Sequence, residues 1–243
     1  MQTSEQTQQT EQSQPQTKKK QTSSTSKKKW YERYRWFHSL NNTLVVAGKT
    51  QRNNETILKR YTKPADLVLH AEIPDAPVAI VKNDLQQQLP AEAIYEAAVL
   101  VAAYSSAWRD KIEKEKISVF YVKPEQVALV SRAGSKLSEI IFEGERKVLE
   151  KIEPRLSIGV KEERTEQGGF NAKLISGPPT AVRRQTQFMT TLVPGERPAE
   201  ELAAKIKKLL LQKVSPEIYA STEAIELSEI KKIIPFGKGE LVT

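Results

Sequence analysis

The first 29 residues contain, after Met1, no side chain able to enter a core except Pro15; the rest are Gln, Thr, Ser, Lys and Glu. Such a segment cannot bury enough apolar surface to offset the entropy of ordering its backbone. Residues 1–29 therefore read as a disordered polar tail, and folding must begin at residue 30. The composition changes abruptly there. Residues 30–37 read Trp-Tyr-Glu-Arg-Tyr-Arg-Trp-Phe and hold five of the sixteen aromatic side chains, with Arg33 and Arg35 set between the rings.

Flat rings beside guanidinium groups suit single-stranded nucleic acid, whose bases stack and whose phosphates pair with arginine. Trp36 and Phe37 are expected to fold inward. That leaves Trp30, Tyr31 and Tyr34 for stacking, and Arg33 and Arg35 either for phosphate or for neutralising Glu32. A formal net charge of +8 agrees with an anionic partner, and a polyanion such as RNA gains most from it through counterion release. The tail adds two lysine triplets, Lys18, Lys19 and Lys20 followed by Lys27, Lys28 and Lys29. They read as a flexible basic arm or as a solvated, solubilising tail.

The chain has no cysteine, which excludes disulfides and thiolate metal sites. His38 and His70 are the only histidines, too few for an ordinary histidine metal site. The Met1 segment is too polar for a signal peptide, and no apolar run approaches the roughly 18 residues that span a bilayer, so no membrane role and a cytoplasmic location are expected.

Alternation and turn residues place strands at 44–48, 67–71, 78–82, 117–122 and 140–143, and a short helix at 52–60 capped by Asn53 or Asn54. One long helix is expected from Pro90 to about Glu115. Ile94, Ala98, Val101, Ser105, Trp108 and Ile112 would line one face of it, with Trp108 in the core. The result is an α+β domain over 30–150, a mixed sheet with one long packing helix. A second, small α+β module is expected over 151–243. Its strands are at 156–160, 172–176 and 188–193, with a short basic helix at 179–184, an amphipathic helix at 199–213 and a last helix at 222–233 that stops before Pro235.

Within the first domain Lys59, Arg60 and Lys63 cluster at a helix end, where they either answer the helix dipole or bind phosphate. With Lys49, Arg52 and Lys82 they would form a continuous strip if all share a face. Asp66 and His70 lie four residues apart, about 13 Å along a strand, too far for a direct hydrogen bond. His70 reads either as a structural histidine or as an RNA contact. No phosphate loop, nucleophile elbow, dinucleotide fingerprint or zinc spacing is present. Gly237-Lys238-Gly239 lacks the rest of a phosphate loop, and the acid pairs Glu162-Glu163 and Glu200-Glu201 read as solvated surface. No catalytic residue, cofactor or metal is expected.

Five blocks in order carry a family resemblance: residues 30–37; Asn-Glu-Thr-Ile-Leu-Lys-Arg-Tyr at 54–61; Asp-Leu-Val-Leu-His-Ala at 66–71; Ala-Tyr-Ser-Ser-Ala-Trp at 103–108; and Tyr-Val-Lys-Pro-Glu-Gln-Val at 121–127. Over roughly 30–150 the chain resembles the RNA-binding domain of the NFACT family, which includes the nuclear export mediator factor of animals and the fibronectin-binding-protein-like proteins of bacteria and archaea. Gly177-Pro178-Pro179 and the stretch 233–239 are similar to archaeal members. The chain has Asp75-Ala76-Pro77 where the family often has Gly-Ser or Gly-Ala. The resemblance implies a role in ribosome-associated quality control, with tRNA and the large ribosomal subunit as partners. It covers only the C-terminal half of full members, without their N-terminal NFACT domain. Two functions follow as expectations: an RNA-binding adaptor, or a protein-interaction scaffold for a separately encoded N-terminal NFACT half.

Overall fold

A turn of 3-10 helix, Trp30–Arg33, leads into strand β1 (Arg35–His38), and Asn41 and Asn42, both at positive φ, reverse the chain into β2 (Leu44–Ala47). Asparagine tolerates that left-handed region where other side chains are strained. The structure, a computed structural model, describes residues 29–131, 134 and 136–242. The expected tail disorder and the basic-arm lysines from Lys18 to Lys28 lie outside the described residues.

The order continues as α1 (Gln51–Tyr61), β3 (Leu67–His70), β4 (Ala79–Val81), α2 (Ala91–Ala103), α3 (Ser106–Arg109), β5 (Val119–Val122), β6 (Val127–Val130), β7 (Glu139–Phe142) and β8 (Lys147–Leu149). Then come β9 (Leu156–Arg164), β10 (Phe170–Gly177), α4 (Pro179–Arg183), β11 (Met189–Pro198), α5 (Ala199–Leu211), α6 (Pro216–Glu223), α7 (Leu227–Ile233) and β12 (Lys238–Val242). Three sheets result: six strands in the order β1-β2-β4-β3-β5-β8, four in the order β10-β9-β11-β12, and the hairpin β6-β7. The fold is α+β. Among the described residues every pairing is antiparallel, so the expected mixed sheet is corrected.

The expected long helix is broken in two. Tyr104 ends α2, and Ser105, with extended backbone, caps α3 by accepting from the Ala107 amide. Serine competes with helical hydrogen bonding in mid-helix and is favoured as a cap, which is why Ser105-Ser106 starts a new helix. Nor does α2 show a single apolar face: it is buried almost all round from Glu96 to Ala103. It lies against β2, β3, β4 and β5 of the first sheet and also meets β9 of the second. A helix apolar on every side belongs inside a core, and its alanines let both layers approach.

One buried cluster runs from Phe37 through α2 and Trp108 to Leu202, Ile206 and Leu241, so segments 30–150 and 151–243 share a core. Two features bind them further. Trp108 is fully buried, and its indole donates to the Lys238 carbonyl at 2.7 Å. Glu96, buried in α2, accepts from Ser39, Thr180 and Arg184, tying the end of β1 and α4 to the central helix. At the C-terminal end the single helix expected over 222–233 is two, α6 and α7. Ile225 is buried between them, and Glu226 starts α7 by donating its amide to Glu229 at 3.3 Å.

Candidate nucleic-acid interface

The turn from β2 into α1 is built around Gly48. A Cβ there would fall 1.9 Å from Asn54 Oδ1, because the Asn54 side chain crosses under the turn to accept from the Val78 amide at 3.2 Å. Thr50, rather than Asn53 or Asn54, is the helix cap, accepting from the Asn53 amide at 3.2 Å. Lys49 therefore stands exposed just ahead of the positive end of an 11-residue helix.

Arg35 reaches this turn from β1. Its guanidinium donates to the Gly48 carbonyl and lies 3.9 Å above the ring of Tyr104. Burial lowers the Arg35 pKa, and it pushes the Tyr104 hydroxyl up to about 12. The Tyr104 hydroxyl donates to the Ile233 carbonyl at 2.6 Å. Two grooves meet over these side chains. One, of about 840 Å³, opens toward His70, Asp75 and Phe236; the other, of about 200 Å³, opens toward Trp36, Leu174 and Lys232. Arg35, Lys49 and Tyr104 line both. The Lys49 pKa is lowered, first by burial and then by the charges of Arg35 and Lys232. Among the described residues none of these three cations pairs with a carboxylate.

Asp75 lies on the wall of the larger groove at φ 61, the conformation a glycine would favour, and is paired with Arg109 at 2.8 Å. Aspartate can occupy the left-handed region, so the turn keeps a glycine-type backbone while acquiring a charge.

The remaining candidates separate. Arg52 and Lys59 are exposed on the side of α1 away from buried Ile57, as the helical period requires, and Arg60 is exposed in its last turn. Lys59 is paired with Glu55, and Lys63 with Asp84 at 2.7 Å. Arg52, Arg60 and Arg33 make no ion pair among the described residues. Arg33 and Arg60 flank Tyr34, and both charges lower its hydroxyl pKa against a net rise caused mainly by burial.

Lys82 does not join an exposed strip. It is 7% exposed, its ammonium pairs with Asp66 and donates to the Tyr61 carbonyl at 2.8 Å, and Asp66 itself is 1% exposed. Asp66 also accepts from the amides of Lys63 at 2.7 Å and Asn83 at 2.9 Å, so the pair pins the end of α1 to β3 and β4. His70 is stacked on Phe142, with centroids 5.1 Å apart, sits edge-on to Phe120, and shares a hydrogen bond of 3.2 Å with the Pro77 carbonyl. Burial chiefly lowers its pKa.

The aromatic stretch divides differently from expectation. Tyr31 and Tyr34, expected to be exposed for stacking, are 7% and 3% exposed. Tyr31 packs against Trp36 and His38, and Tyr34 against Tyr61. Phe37 is in the core, whereas Trp36, expected there, is half-buried with the Lys173 ammonium 6.0 Å from its ring. Strand alternation explains the exchange: Phe37 enters the buried cluster, and its neighbour Trp36 points to the other side of the strand. Lys232, Lys173 and Tyr104 were not singled out from the sequence. Tyr104 falls inside the family-like block 103–108 and Lys232 directly precedes the stretch 233–239, whereas Lys173 lies near neither.

The family described as NFACT protein RNA binding domain matches residues 33–142. The archaeal Rqc2 homologue aRqcH of Methanocaldococcus jannaschii is 28% identical over 88% of this chain and 30% of its own length. The ribosome quality control complex subunit NEMF homologue of Drosophila melanogaster is 34% identical over 45% of this chain and 11% of its own. Human NEMF is 32% identical over 45% of this chain and 10% of its own. The chain thus spans less than a third of the length of these relatives. Among solved structures, the C-terminal part of the fibronectin/fibrinogen-binding protein from Streptococcus suis superimposes with a TM-score of 0.40 at 20% identity, covering 49% of this chain and 48% of that one. Residues 33–142 are an NFACT-type RNA-binding domain, homologous over part of this chain to archaeal aRqcH and to NEMF.

Proposed function

We propose that this chain is a non-enzymatic, cytoplasmic RNA-binding adaptor that contacts tRNA or ribosomal RNA on large ribosomal subunits during ribosome-associated quality control. The match of residues 33–142 to an RNA-binding domain carries the reading. It is supported by a net charge of +8 and by Arg33, Lys49, Arg52 and Arg60, which are exposed without carboxylate partners among the described residues. Such cations gain free energy by displacing counterions from a nucleic acid. Lys18, Lys19, Lys20, Lys27, Lys28 and Lys29 lengthen that footprint without reading sequence.

A second reading, a protein-interaction scaffold for an N-terminal NFACT partner, is favoured by an apolar groove over α5, α6 and α7. There Tyr219 is 44% and Leu227 40% exposed beside Lys207 and Lys208. Co-sedimentation with large ribosomal subunits, with and without nuclease, separates the two. The adaptor reading predicts that the chain travels with subunits and is released when exposed RNA is digested. Retention of a protein partner after complete digestion, with no binding to purified subunits, would instead establish the scaffold.

A further inference from the structure

Lys232 comes from α7, Arg35 from β1 and Lys49 from the β2–α1 turn, yet all three line one small groove beside Tyr104. Like charges gathered in a partly desolvated place repel one another and lose hydration. Elsewhere this protein answers such charges: Lys82 has Asp66, Arg184 has Glu92 and Glu96, Lys231 has Glu200. Here no carboxylate answers them among the described residues, and the Lys49 pKa is lowered, first by burial and then by the charges of Arg35 and Lys232.

The cluster is also held in place. Tyr104 supports the Arg35 guanidinium on its ring and anchors the residue after Lys232 through its hydroxyl, so one side chain fixes two of the three positions. The third precedes a helix whose first amides, those of Gln51 and Arg52, have no partner within the helix. Two lysines and a clamped arginine converge on the smaller groove, and the start of α1 lines the larger groove that shares Arg35 and Lys49 with it. A tetrahedral dianion or a phosphodiester is the chemistry that such a setting accepts.

We propose that Arg35, Lys49 and Lys232 form a phosphate-binding site for the RNA backbone, and that the C-terminal module completes it through Lys232. The proposal rests on the RNA-binding reading for the identity of its ligand. It gives residues 151–243 a direct part in binding, beyond sharing the core. Arg35 is a poor residue to test, since Gly48 and Tyr104 depend on it for packing; Lys49 and Lys232 are exposed and can be changed without disturbing the core.

The test has two arms on the full chain. In the first, lysines are acylated and mapped by mass spectrometry with tRNA, with inorganic pyrophosphate, or with neither. Lys49 and Lys232 are expected to be shielded by both ligands, while Lys205, exposed on α5, is modified in all three. In the second, tRNA affinity is measured over a salt series. Lys232→Gln is expected to weaken binding about eightfold at 0.1 M salt and to make the log–log slope shallower by about 0.9, the loss of one phosphate contact. Lys231→Gln, which loses only the ion pair to Glu200, should leave the slope unchanged. If tRNA binds with an unaltered slope in Lys232→Gln, or leaves Lys232 open to acylation, the site is wrong and the RNA-binding reading stands. Shielding by pyrophosphate without any tRNA binding keeps the phosphate site and removes its RNA. No shielding by either ligand overturns the proposal outright.

Discussion

Lys82 and Lys49 stand at opposite ends of the same arithmetic. Both are lysines at the end of a strand in the first sheet, and both were candidates for one phosphate strip. Lys82 is turned inward, where Asp66 and the Tyr61 carbonyl satisfy it. Lys49 is left beside Arg35 and Lys232 with no carboxylate among the described residues. A buried charge survives only when paired, whereas an unpaired exposed one costs the fold little and remains available to a ligand. The basic surplus of this protein is thus divided between charges that the fold uses and charges that it leaves free.

The largest effect expected from that division is on stability at Lys82. Lys82→Met leaves Asp66 buried without its counter-charge and is expected to cost about 3–5 kcal/mol in chemical denaturation. The double variant Lys82→Met/Asp66→Leu should recover only part of this, because the Lys63 and Asn83 amides lose their acceptor. A Lys82→Met protein as stable as the wild type would place Lys82 among the available charges instead.

His70 probes the same division by pH. It is enclosed by Phe120 and Phe142 and faces Arg146, Glu72 and the Pro77 carbonyl. Burial is the main cause of its lowered pKa, with Arg146 acting in the same direction against Pro77 and Glu72. The unfolded chain takes up the proton near pH 6.5 and the folded chain only below that, so stability present above about pH 6.5 is lost as pH falls through that window. The slope from this group is at most about 1.4 kcal/mol per pH unit. Thermal midpoints at pH 7.5 and 5.0 should differ more in the wild type than in His70→Gln. Equal differences would mean that His70 does not stay neutral in the fold.

The smallest effect is at Lys49. Its replacement by Gln should move the denaturation midpoint by less than about 0.5 kcal/mol, as for exposed positions generally. A larger loss would show that the fold uses this charge after all.

How far this division could be read in advance depended on range. The strand carrying Val68 and Leu69, the inward face of α5 and the burial of Trp108 follow from local alternation and period, and the sequence shows them. The fate of Lys82 does not, since its partner Asp66 lies in the bend before another strand, β3, and a lysine before Asn83 looks the same buried or free. Lys232 was invisible for the same reason: what brings it to Arg35 and Lys49 is the shared core of the two sheets. The break at Ser105 was signalled by two adjacent serines, but the apolar spacing on either side of it stays in helical phase and conceals it. Tyr31 and Tyr34 are buried because β1 pairs along its whole length and brings the preceding turn onto the fold, a pairing that four residues rich in aromatics do not announce.

The proposal that this protein holds RNA through charges which the fold leaves unpaired is tested directly by one titration. Filter binding of tRNA to the full chain between 50 and 300 mM salt should give an affinity that falls linearly on a log–log plot, with a slope of several negative units. Absence of binding at low salt, or an affinity indifferent to salt, would contradict it.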